Sequence, residues 1–295
     1  MNIPLNKFYD IVFITTFVDN EYISKYITSV IESNYKTNVL LIIICQKGLD
    51  IKNIESEYTT IVKIKVDNII SISAARNLGI NYILNNGIKA EYIMFPDDDS
   101  TYSKSFFENY QLIDKSNNYI IDVLCTGSNK LFIRQKCKDN SVLSSKNWNS
   151  ACSVNLMIKF EYINHVGFFD INLGVGAKYG SAEDNDYYIR VSNISSFIYT
   201  KQLYNFHPSP SQTYKALTLK KLIFRFNNYG KGIIYCLCKH YKYKDALFVC
   251  IRSIGGGVIA FFKGNFKKSI AYFCSFYSRF TLLFLLYTNL NRIKR

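Results

Sequence analysis

Short apolar runs alternate with helical patterns along the first hundred residues of the chain. Asp10–Phe17 and Val39–Cys45 are nearly continuous apolar runs, and the second is apolar at every position. Such runs are typical of strands buried on both faces of a parallel sheet. The shorter segments Ile61–Val66 and Tyr92–Phe95 predict two further strands.

Helical patterns separate these predicted strands. Glu21–Ser33 repeats apolar residues at helical spacing, and Asp19-Asn20 is expected to supply its N-terminal cap. A second helix through Asn85 is expected to open at Ser71 or Ser73. The alternation predicts an α/β fold, an open, Rossmann-like and mostly parallel sheet flanked by helices. In such sheets ligands bind beyond the carboxyl ends of the strands.

Three consecutive carboxylates, Asp97-Asp98-Asp99, follow the fourth predicted strand and Pro96. Adjacent like charges repel one another, and a divalent cation relieves the repulsion because Mg²⁺ and Mn²⁺ prefer carboxylate and phosphate oxygens as ligands. An exposed acidic turn is the alternative interpretation. The position of the triplet at the end of a buried strand favours a metal site.

A second acidic pair, Glu183 and Asp184, follows the glycine-rich loop Gly167–Gly180 and opens a predicted short helix. A carboxylate at such a place can serve as a general base. Acids in a first turn also stabilise a helix through its dipole, which is the simpler explanation for this pair alone. Arg76 lies one turn into the second helix, where a guanidinium can clamp a phosphate, although a solvated arginine is the more usual case.

Positive charge is concentrated at the end of the chain. Residues 1–213 carry 20 basic and 21 acidic side chains, whereas residues 214–295 carry 16 basic side chains and the single acid Asp245. The net charge of +14 therefore comes from the last 82 residues. We predict two regions, 1–213 and 214–295, of which the second meets an anionic surface, either a membrane or a nucleic acid.

Composition excludes several protein classes. A hydrophobic content of 48% excludes intrinsic disorder, and four prolines with 14 glycines exclude a collagen-like chain. The eight cysteines lack the paired spacing of a zinc site, and Cys236 and Cys238 are too isolated to form one on their own. Free thiols in a reducing cytosol are therefore expected.

Two long apolar stretches, Ala246–Phe262 and Ile270–Tyr287, dominate the basic region. Each is interrupted by an arginine, Arg252 and Arg279, and an arginine at mid-span costs about 2.5–3.5 kcal/mol on insertion scales. We therefore expect amphipathic helices that lie in the membrane interface, with basic side chains at the lipid headgroups. A helical hairpin through the bilayer is the alternative.

Four segments in order resemble the family 2 glycosyltransferases, which are inverting enzymes with the GT-A fold. The matching segments are Phe13–Phe17 (FITTF), Ser73–Gly79 (SAARNLG), Tyr92–Asp99 (YIMFPDDD) and Gly167–Arg190. Together they extend the resemblance over roughly residues 8–210. Any one of these motifs is weak evidence, but four in order at fitting spacings are specific.

The resemblance implies a nucleotide-sugar donor, with a UDP-sugar as the first expectation, and a divalent cation, Mn²⁺ or Mg²⁺. Asp97 and Asp99 take the positions of the family's Asp-x-Asp motif. The metal-ligand set implied by the resemblance is Asp97, Asp99 and His207, although His207 reads equally well as a partly buried loop histidine. The implied donor-binding set is Thr15, Thr16, Phe17, Gln46, Arg76, Asn77, Asp97 and Asp98.

One position departs from the family pattern. Gln46 stands where many members carry an aspartate that binds the nucleobase, so the identity of the base is left open. The resemblance makes Asp184 the general base that deprotonates an acceptor hydroxyl, and Glu183 the residue that orients the base or the acceptor. Direct attack would invert the anomeric configuration without a covalent enzyme intermediate.

The segment Arg225–His240 also resembles the C-terminal extensions of bacterial family 2 enzymes that build capsule or O-antigen chains. The implied acceptor is a glycan or a lipid-linked saccharide, and the implied location is the cytoplasmic face of the bacterial inner membrane, as a peripheral protein. Long Leu, Phe and Ile runs in the basic region suit an anionic membrane surface better than a nucleic acid, which we do not expect as a partner.

Two other classes of function compete with this interpretation. A nucleotidyltransferase acting on sugar phosphates shares a similar sheet, but it typically has a glycine-rich loop after the first strand, and Phe13–Asn20 contains no glycine. A non-enzymatic nucleic-acid-binding protein would use the interleaved basic and aromatic residues of the C-terminal region.

Overall fold

The computed structural model describes residues 7–52, 54–128, 130–133, 137–209, 214 and 217–293. The chain forms two compact units. The first contains the chain up to Phe169 together with Tyr187–Ser209, and the second contains Asp170–Asp186 together with the chain after Ser209. The division predicted at residue 213 from the sequence stays a prediction.

An eight-stranded sheet forms the centre of the first unit, in the order β3-β2-β1-β4-β7-β5-β8-β6. The strands are β1 (Phe8–Phe17), β2 (Val39–Cys45), β3 (Thr59–Lys65), β4 (Lys89–Met94), β5 (Asn118–Cys125), β6 (Val142–Leu143), β7 (Leu156–Lys159) and β8 (Phe197–His207). The pairs β3-β2, β2-β1, β1-β4 and β5-β8 are parallel, whereas β7 and β6 pair antiparallel with their neighbours. The mostly parallel α/β sheet predicted from the sequence is confirmed.

The register of the parallel strands brings their carboxyl ends to one edge. Phe17 at the end of β1 is paired with Cys45 at the end of β2, and Phe13 is paired with Met94 at the end of β4. Every residue of β2 is buried, in agreement with its continuous apolar run. The loops that follow these strands therefore start from neighbouring points, which is where a ligand site is expected.

Helices of the first unit follow the predicted alternation. They are α1 (Ile23–Ser33), α2 (Ile72–Asn85), α3 (Lys104–Tyr110) and α4 (Ile163–Val166). Helix α5 (Glu183–Ser192) begins in the second unit and ends in the first. The Ser71 side chain accepts a hydrogen bond from the backbone N–H of Ala74, so the predicted cap of α2 is confirmed.

The predicted cap of α1 is wrong. The N-cap position is Tyr22, and no side chain caps it. The carboxylate of Asp19 instead accepts a hydrogen bond from the backbone N–H of Glu21, which closes a turn before the helix begins. Because aspartate competes for nearby backbone donors in turns as readily as at caps, the sequence pattern does not separate the two uses.

Helix α2 lies close against the central strand β1. A Cβ atom on Gly79 would lie 2.6 Å from Cγ2 of Ile14, so only glycine permits this approach. The buried face of α2 also carries Ser73, Arg76 and Ile83. Close packing on β1 thus fixes the position of a buried arginine near the carboxyl edge of the sheet.

Three helices dominate the second unit: α6 (Leu219–Lys239), α7 (Tyr243–Phe262) and α8 (Phe266–Ile293). Helix α8 packs against both α6 and α7. Serine hydroxyls join the helices, since Ser275 donates to the carbonyl of Phe226, and Ser253 donates to the carbonyl of Tyr272. The helices predicted in the C-terminal region are confirmed, and α7 and α8 are long and apolar enough to cross a membrane by length and composition.

Candidate functional site

The Asp97-Asp98-Asp99 triplet meets the end of β8 through a short backbone bridge. Thr101 and Phe206 exchange two hydrogen bonds of 2.9 Å, N–H of each to the carbonyl of the other. This antiparallel bridge places the residue after Phe206, His207, beside the triplet. The turn itself is closed by a hydrogen bond of 3.1 Å from Ser100 N–H to the Asp97 carbonyl.

His207 turns one ring nitrogen toward two carboxylates. Its Nε2 lies 3.0 Å from Asp99 Oδ1 and 3.6 Å from Asp97 Oδ2. Its Nδ1 lies 2.9 Å from the carbonyl oxygen of Pro208, and since a carbonyl only accepts, Nδ1 carries the donated proton. A backbone partner on the second nitrogen is the usual arrangement of a metal-binding histidine, because it fixes the tautomer and the ring orientation.

Asp97 is held from the opposite side by Arg76. The guanidinium Nη2 of Arg76 donates to Asp97 Oδ1 over 3.0 Å and to the carbonyl of Phe95 over 3.4 Å. The hydroxyl of Ser153 also donates to Oδ1, over 3.4 Å. Arg76 is 1% exposed, so this ion pair is largely removed from water on the arginine side. Oδ1 of Asp97 is thereby occupied, and Oδ2 is left facing His207.

The charges of the cluster shift the pKa values of its members. Burial raises the pKa of Asp97, but His207 and Arg76 outweigh burial and hold it below its usual range. Burial and then the charges of Asp99 and Asp97 raise the pKa of Asp98 to about 7. Burial lowers the pKa of His207, but the two carboxylates outweigh it and raise the pKa to about 10. The carboxylates of Asp97 and Asp99 therefore stabilise a positive charge at the position of the His207 ring.

The residues present fit a divalent cation. One ligand atom each from Asp97, Asp99 and His207 lie within 4.8 Å of one another. Two carboxylate oxygens with one imidazole suit Mn²⁺, and the carboxylates alone suit Mg²⁺, which keeps several waters. The predicted ligand residues are thus brought together. Asp98, their neighbour in sequence, lies outside the three-residue group found among the described residues.

The predicted nucleoside-binding residues Thr16 and Gln46 bind each other. Gln46 is 2% exposed, and its Nε2 donates to Thr16 Oγ1 over 2.8 Å while its Oε1 accepts from Ile70 N–H over 2.7 Å. Thr16 in turn donates to the carbonyl of Ile44. The Gln46 amide therefore ties β1 and β2 to the segment that leads into α2. Its contact with a nucleobase stays a prediction.

Three other predicted donor-binding residues lie inside the first unit. Thr15 is 1% exposed, and its hydroxyl has no hydrogen-bond partner within the described residues. Phe17 belongs to the hydrophobic core. Asn77 makes two hydrogen bonds to the backbone of Phe169, with its Nδ2 donating over 2.9 Å and its Oδ1 accepting over 2.7 Å. The hydrogen bonds of Asn77 hold α2 to the backbone of Phe169. The roles of Thr15, Phe17 and Asn77 in donor binding stay predictions.

Glu183 and Asp184 open helix α5 in the second unit, as predicted. Glu183 is 7% exposed, and Asp184 Oδ1 accepts a hydrogen bond of 2.7 Å from Asn185 N–H. The residue before them, Ala182, has a φ of +69°, so the chain turns sharply into the helix. Their first-turn position is compatible with both sequence interpretations, helix stabilisation and acid–base chemistry.

Helix α6 holds the loop that precedes this acidic pair. Ser181 Oγ donates to the carbonyl of Tyr229 over 2.8 Å. A Cβ atom on Gly232 would lie 2.4 Å from the Ser181 carbonyl oxygen, so the loop rests directly on the helix backbone. Glycine is required at this point because the approach is closer than any side chain allows.

Sequence reasoning missed two neighbours of the metal-ligand group. Ser153 donates to Asp97, and the Phe132 ring lies 4.5 Å from the His207 ring, centroid to centroid. Ser153 is separated from Asp97 by 56 residues, and no local pattern marks either residue. Their positions depend on the sheet order, in which β7 pairs with β4 and β8 pairs with β5 although the paired strands are distant in sequence.

No family model matches the chain, and no curated protein matches it in sequence. Among solved structures, S. aureus TarS residues 1–349 align over 79% of this chain and 72% of that one, with a TM-score of 0.52 and 13% identity. A longer TarS structure aligns over 79% of this chain and 43% of that one, with a TM-score of 0.51 and 12% identity. Mannosyltransferase PcManGT from Pyrobaculum calidifontis, in complex with GDP-Man and Mn²⁺, aligns over 94% of this chain and 87% of that one, with a TM-score of 0.54 and 8% identity.

These likenesses show the fold. The chain has a GT-A-type architecture, a mostly parallel eight-stranded sheet flanked by helices, with a C-terminal helical extension. The fold predicted from the sequence is therefore confirmed. At sequence identities of 8–13%, the similarity to these structures supports the fold alone.

Proposed function

We propose that this protein is a glycosyltransferase that moves a sugar from a nucleotide-sugar donor to a hydroxyl group, with inversion at the anomeric carbon. The proposal rests above all on the group formed by Asp97, Asp99 and His207. This group lies at the carboxyl edge of the parallel strands of a GT-A-type fold, where ligands of open α/β sheets bind.

The metal-ligand group would hold Mn²⁺ or Mg²⁺ through Asp97, Asp99 and His207. When bound there, the cation would supply charge compensation for the diphosphate of the departing nucleotide. Arg76 and Ser153 keep Oδ1 of Asp97 occupied, so that the carboxylate stays oriented toward His207. We propose a UDP-sugar as the donor, with GDP-mannose as the second to test because a structural neighbour was solved with GDP-Man and Mn²⁺.

The acidic pair of α5 would act on the acceptor. In the proposed reaction the acceptor hydroxyl oxygen bonds to the anomeric carbon, the bond from that carbon to the diphosphate breaks, and Asp184 takes the hydroxyl proton. The nucleoside diphosphate leaves with the bonding electrons. Glu183 would orient the acceptor or the base. A single direct displacement inverts the anomeric configuration.

The turn between α7 and α8 supports a membrane-surface location. Phe261, Phe262 and Phe266 are 53%, 82% and 59% exposed, and Lys263 beside them is also exposed. Lys267 and Lys268 follow in the first turn of α8. Exposed aromatic rings among lysines suit an anionic lipid surface, in which the rings insert and the ammonium groups meet the headgroups.

One face of the same helices extends this apolar surface. Ala246, Val249, Cys250 and Ser253 point into the second unit, whereas exposed apolar side chains cover the other side of α7 and α8. Apart from the phenylalanines of the turn, the most exposed of these are Phe248, Ile251, Ile259, Tyr277 and Phe284. We propose a peripheral position on the cytoplasmic face of a bacterial inner membrane. The acceptor would then be a lipid-linked saccharide or a growing cell-surface glycan.

A donor panel tests the proposed activity. Purified full-length protein is incubated with UDP-, GDP- and dTDP-sugars, Mn²⁺ or Mg²⁺, and lipid extract as the acceptor source, and release of nucleoside diphosphate is measured. We expect release with one nucleotide class, loss of that release with EDTA, and recovery on adding Mn²⁺. Release of pyrophosphate from a nucleoside triphosphate and a sugar phosphate would instead identify a nucleotidyltransferase and overturn the proposal.

A further inference from the structure

A second group of metal-ligating side chains lies in the helical unit. Cys236 lies on the last turn of α6, and His240, four residues later, is the C-cap residue of that helix. The N–H of His240 donates to the carbonyl of Cys236 over 3.2 Å. Asp186, from the first turn of α5, meets them. One ligand atom of each of these three residues lies within 4.8 Å of the other two.

The three side chains are removed from water. Asp186 is 0% exposed, Cys236 is 1% exposed, and the His240 side chain is 13% exposed. A buried carboxylate, thiol and imidazole facing one point form a set that a packed core seldom collects, because each carries polar groups that are costly to bury. The partial exposure of His240 leaves a route by which an ion or a water molecule reaches the group.

The chemistry of these donors differs from that of the Asp97 group. A thiolate and an imidazole are the preferred ligands of Zn²⁺ and similar transition metals, whereas Mg²⁺ and Ca²⁺ prefer oxygen donors. Zn²⁺ binds cysteine, histidine and aspartate in four-coordinate sites, with water able to complete three protein ligands. The donor set therefore selects a borderline-soft metal of a different class from that expected at Asp97 and Asp99.

The spacing of the donors is compatible with a metal site. Around a four-coordinate zinc, ligand atoms lie about 3.3–3.5 Å apart. His240 Nε2 lies 2.9 Å from Asp186 Oδ1, and the remaining separations are within 4.8 Å. The C-terminal end of α6 also favours a cation, because the carbonyl ends of the helix dipole point toward it.

The ammonium group of Lys239 lies beside this group and would repel a bound metal ion. Its Nζ lies 2.8 Å from Asp186 Oδ1 and 2.8 Å from Asp170 Oδ2. Asp170 also accepts from Asn172 and keeps a low pKa: burial opposes this, but the hydrogen bonds from Lys239 and Asn172 outweigh it. Lys239 can therefore keep a carboxylate partner in Asp170 while Asp186 turns toward a metal.

We propose that Asp186, Cys236 and His240 bind a zinc-class divalent transition metal, which ties the first turn of α5 to the end of α6. This proposal does not depend on the proposed glycosyl transfer. Binding would release the thiol proton of Cys236, since only the thiolate is a metal ligand. Because Glu183 and Asp184 occupy the same turn of α5 as Asp186, a metal here would hold the acidic pair in place.

Cobalt substitution tests the site directly. Full-length protein is stripped with EDTA, and Co²⁺ is added while the absorption of thiolate-to-cobalt charge transfer is recorded. The Asp97, Asp99 and His207 group has no sulfur, so the band reports only a cysteine-containing site. We expect one equivalent of Co²⁺ to produce the band and one equivalent of Zn²⁺ to displace it.

Matched variants assign the band. Cys236→Ser is expected to abolish it, and His240→Gln is expected to weaken Co²⁺ affinity by more than about tenfold. The control Cys238→Ser, also buried on α6, and Asp99→Asn in the other group should both retain it. Circular dichroism checks the fold of each variant. If Cys236→Ser does not fold, the Co²⁺ affinity of His240→Gln tests the site in its place. Absence of the band, its survival in a folded Cys236→Ser, unchanged Co²⁺ affinity in His240→Gln, or loss of the band in a folded Cys238→Ser would overturn the proposal and leave the three residues as a buried ion-pair cluster.

Discussion

Arg76 and Asp97 form an ion pair, buried on the arginine side, in which the guanidinium Nη2 donates to Asp97 Oδ1 over 3.0 Å. The contact occupies one carboxylate oxygen and directs the other toward His207, 3.6 Å away. Arg76 was predicted from the sequence to bind the nucleotide. That role stays a prediction, and from its 1% exposure and its contacts with Asp97 and Phe95 we propose that Arg76 also positions the metal-ligand group.

Replacement of Arg76 should weaken metal binding. Arg76→Met keeps the apolar stem but removes the donor to Asp97, and losing such a supporting contact typically costs about 10–100-fold in metal affinity. Mn²⁺ binding measured by electron paramagnetic resonance should show this loss, and Arg76→Lys should show a smaller one because a cation remains. Lys104→Met removes an exposed cation and should change nothing. Equal Mn²⁺ affinity in Arg76→Met and the wild type would refute the positioning role.

Neutralising the acidic pair should separate catalysis from donor binding. Asp184→Asn keeps the shape of the side chain but cannot accept the acceptor proton, so the transfer rate should fall by about 10²–10⁴-fold. Glu183→Gln should cause a smaller loss. Donor affinity, measured by titration calorimetry, should stay within about twofold because neither residue is proposed to hold the nucleotide. The exposed carboxylate of Glu108 offers the control Glu108→Gln. Full transfer activity in Asp184→Asn would remove it from the mechanism.

Two glycines of the helical unit offer a matched test of packing. A methyl group on Gly232 would lie 2.4 Å from the Ser181 carbonyl oxygen, so Gly232→Ala should destabilise the protein by about 1–3 kcal/mol and displace the loop before Glu183. A methyl group on Gly255 meets nothing within 4 Å, so Gly255→Ala should stabilise α7 by roughly 0.5–1 kcal/mol. Thermal and urea unfolding measure both effects. Equal unfolding midpoints for the two variants would contradict the packing described for Ser181.

The exposed phenylalanines should govern membrane binding. Transfer of one such ring from water contributes about 1.5–3 kcal/mol, so Phe262→Glu with Phe266→Glu should reduce binding to anionic vesicles by more than about tenfold. Leu112→Glu alters a residue that is 78% exposed in the first unit and serves as the control. Vesicle co-sedimentation, with and without high salt, measures the effect. Unchanged binding in the double variant, or release of the protein from cell membranes by nuclease alone, would contradict the proposed membrane location.

The local part of the site was predictable from the sequence. Val39–Cys45 reads as a buried strand, Ser71 caps α2, and three aspartates follow a strand that ends at the sheet edge. These features depend on residues within a turn or a strand of one another, where apolar periodicity and capping chemistry act directly. The cap of α1 failed because Asp19 forms a turn that the same local rules also allow.

The long-range part of the site was not predictable in this way. His207 meets Asp99 because Thr101 and Phe206 pair across more than a hundred residues, and that pairing depends on the sheet order. The spacing of Cys236 and Cys238 alone indicates no metal site. His240, one helical turn after Cys236, is the sequence feature that indicates a second metal ligand. The third member of the group, Asp186, is distant in sequence. Local sequence rules do not show which side chains converge from separate elements, and His207 was placed with Asp97 and Asp99 only through the family resemblance.

The dependence of sugar transfer on the metal-ligand group tests the central claim most directly. Purified wild-type protein and Asp99→Asn are compared with a radiolabelled donor and lipid acceptor in EDTA, and again after Mn²⁺ is restored. The account predicts transfer by the wild type only with Mn²⁺, and a loss of at least about 10²-fold in Asp99→Asn at every Mn²⁺ concentration. Labelling of the acceptor by the wild type in EDTA at the level seen with Mn²⁺, or equal labelling by the wild type and Asp99→Asn after Mn²⁺ is restored, would contradict it.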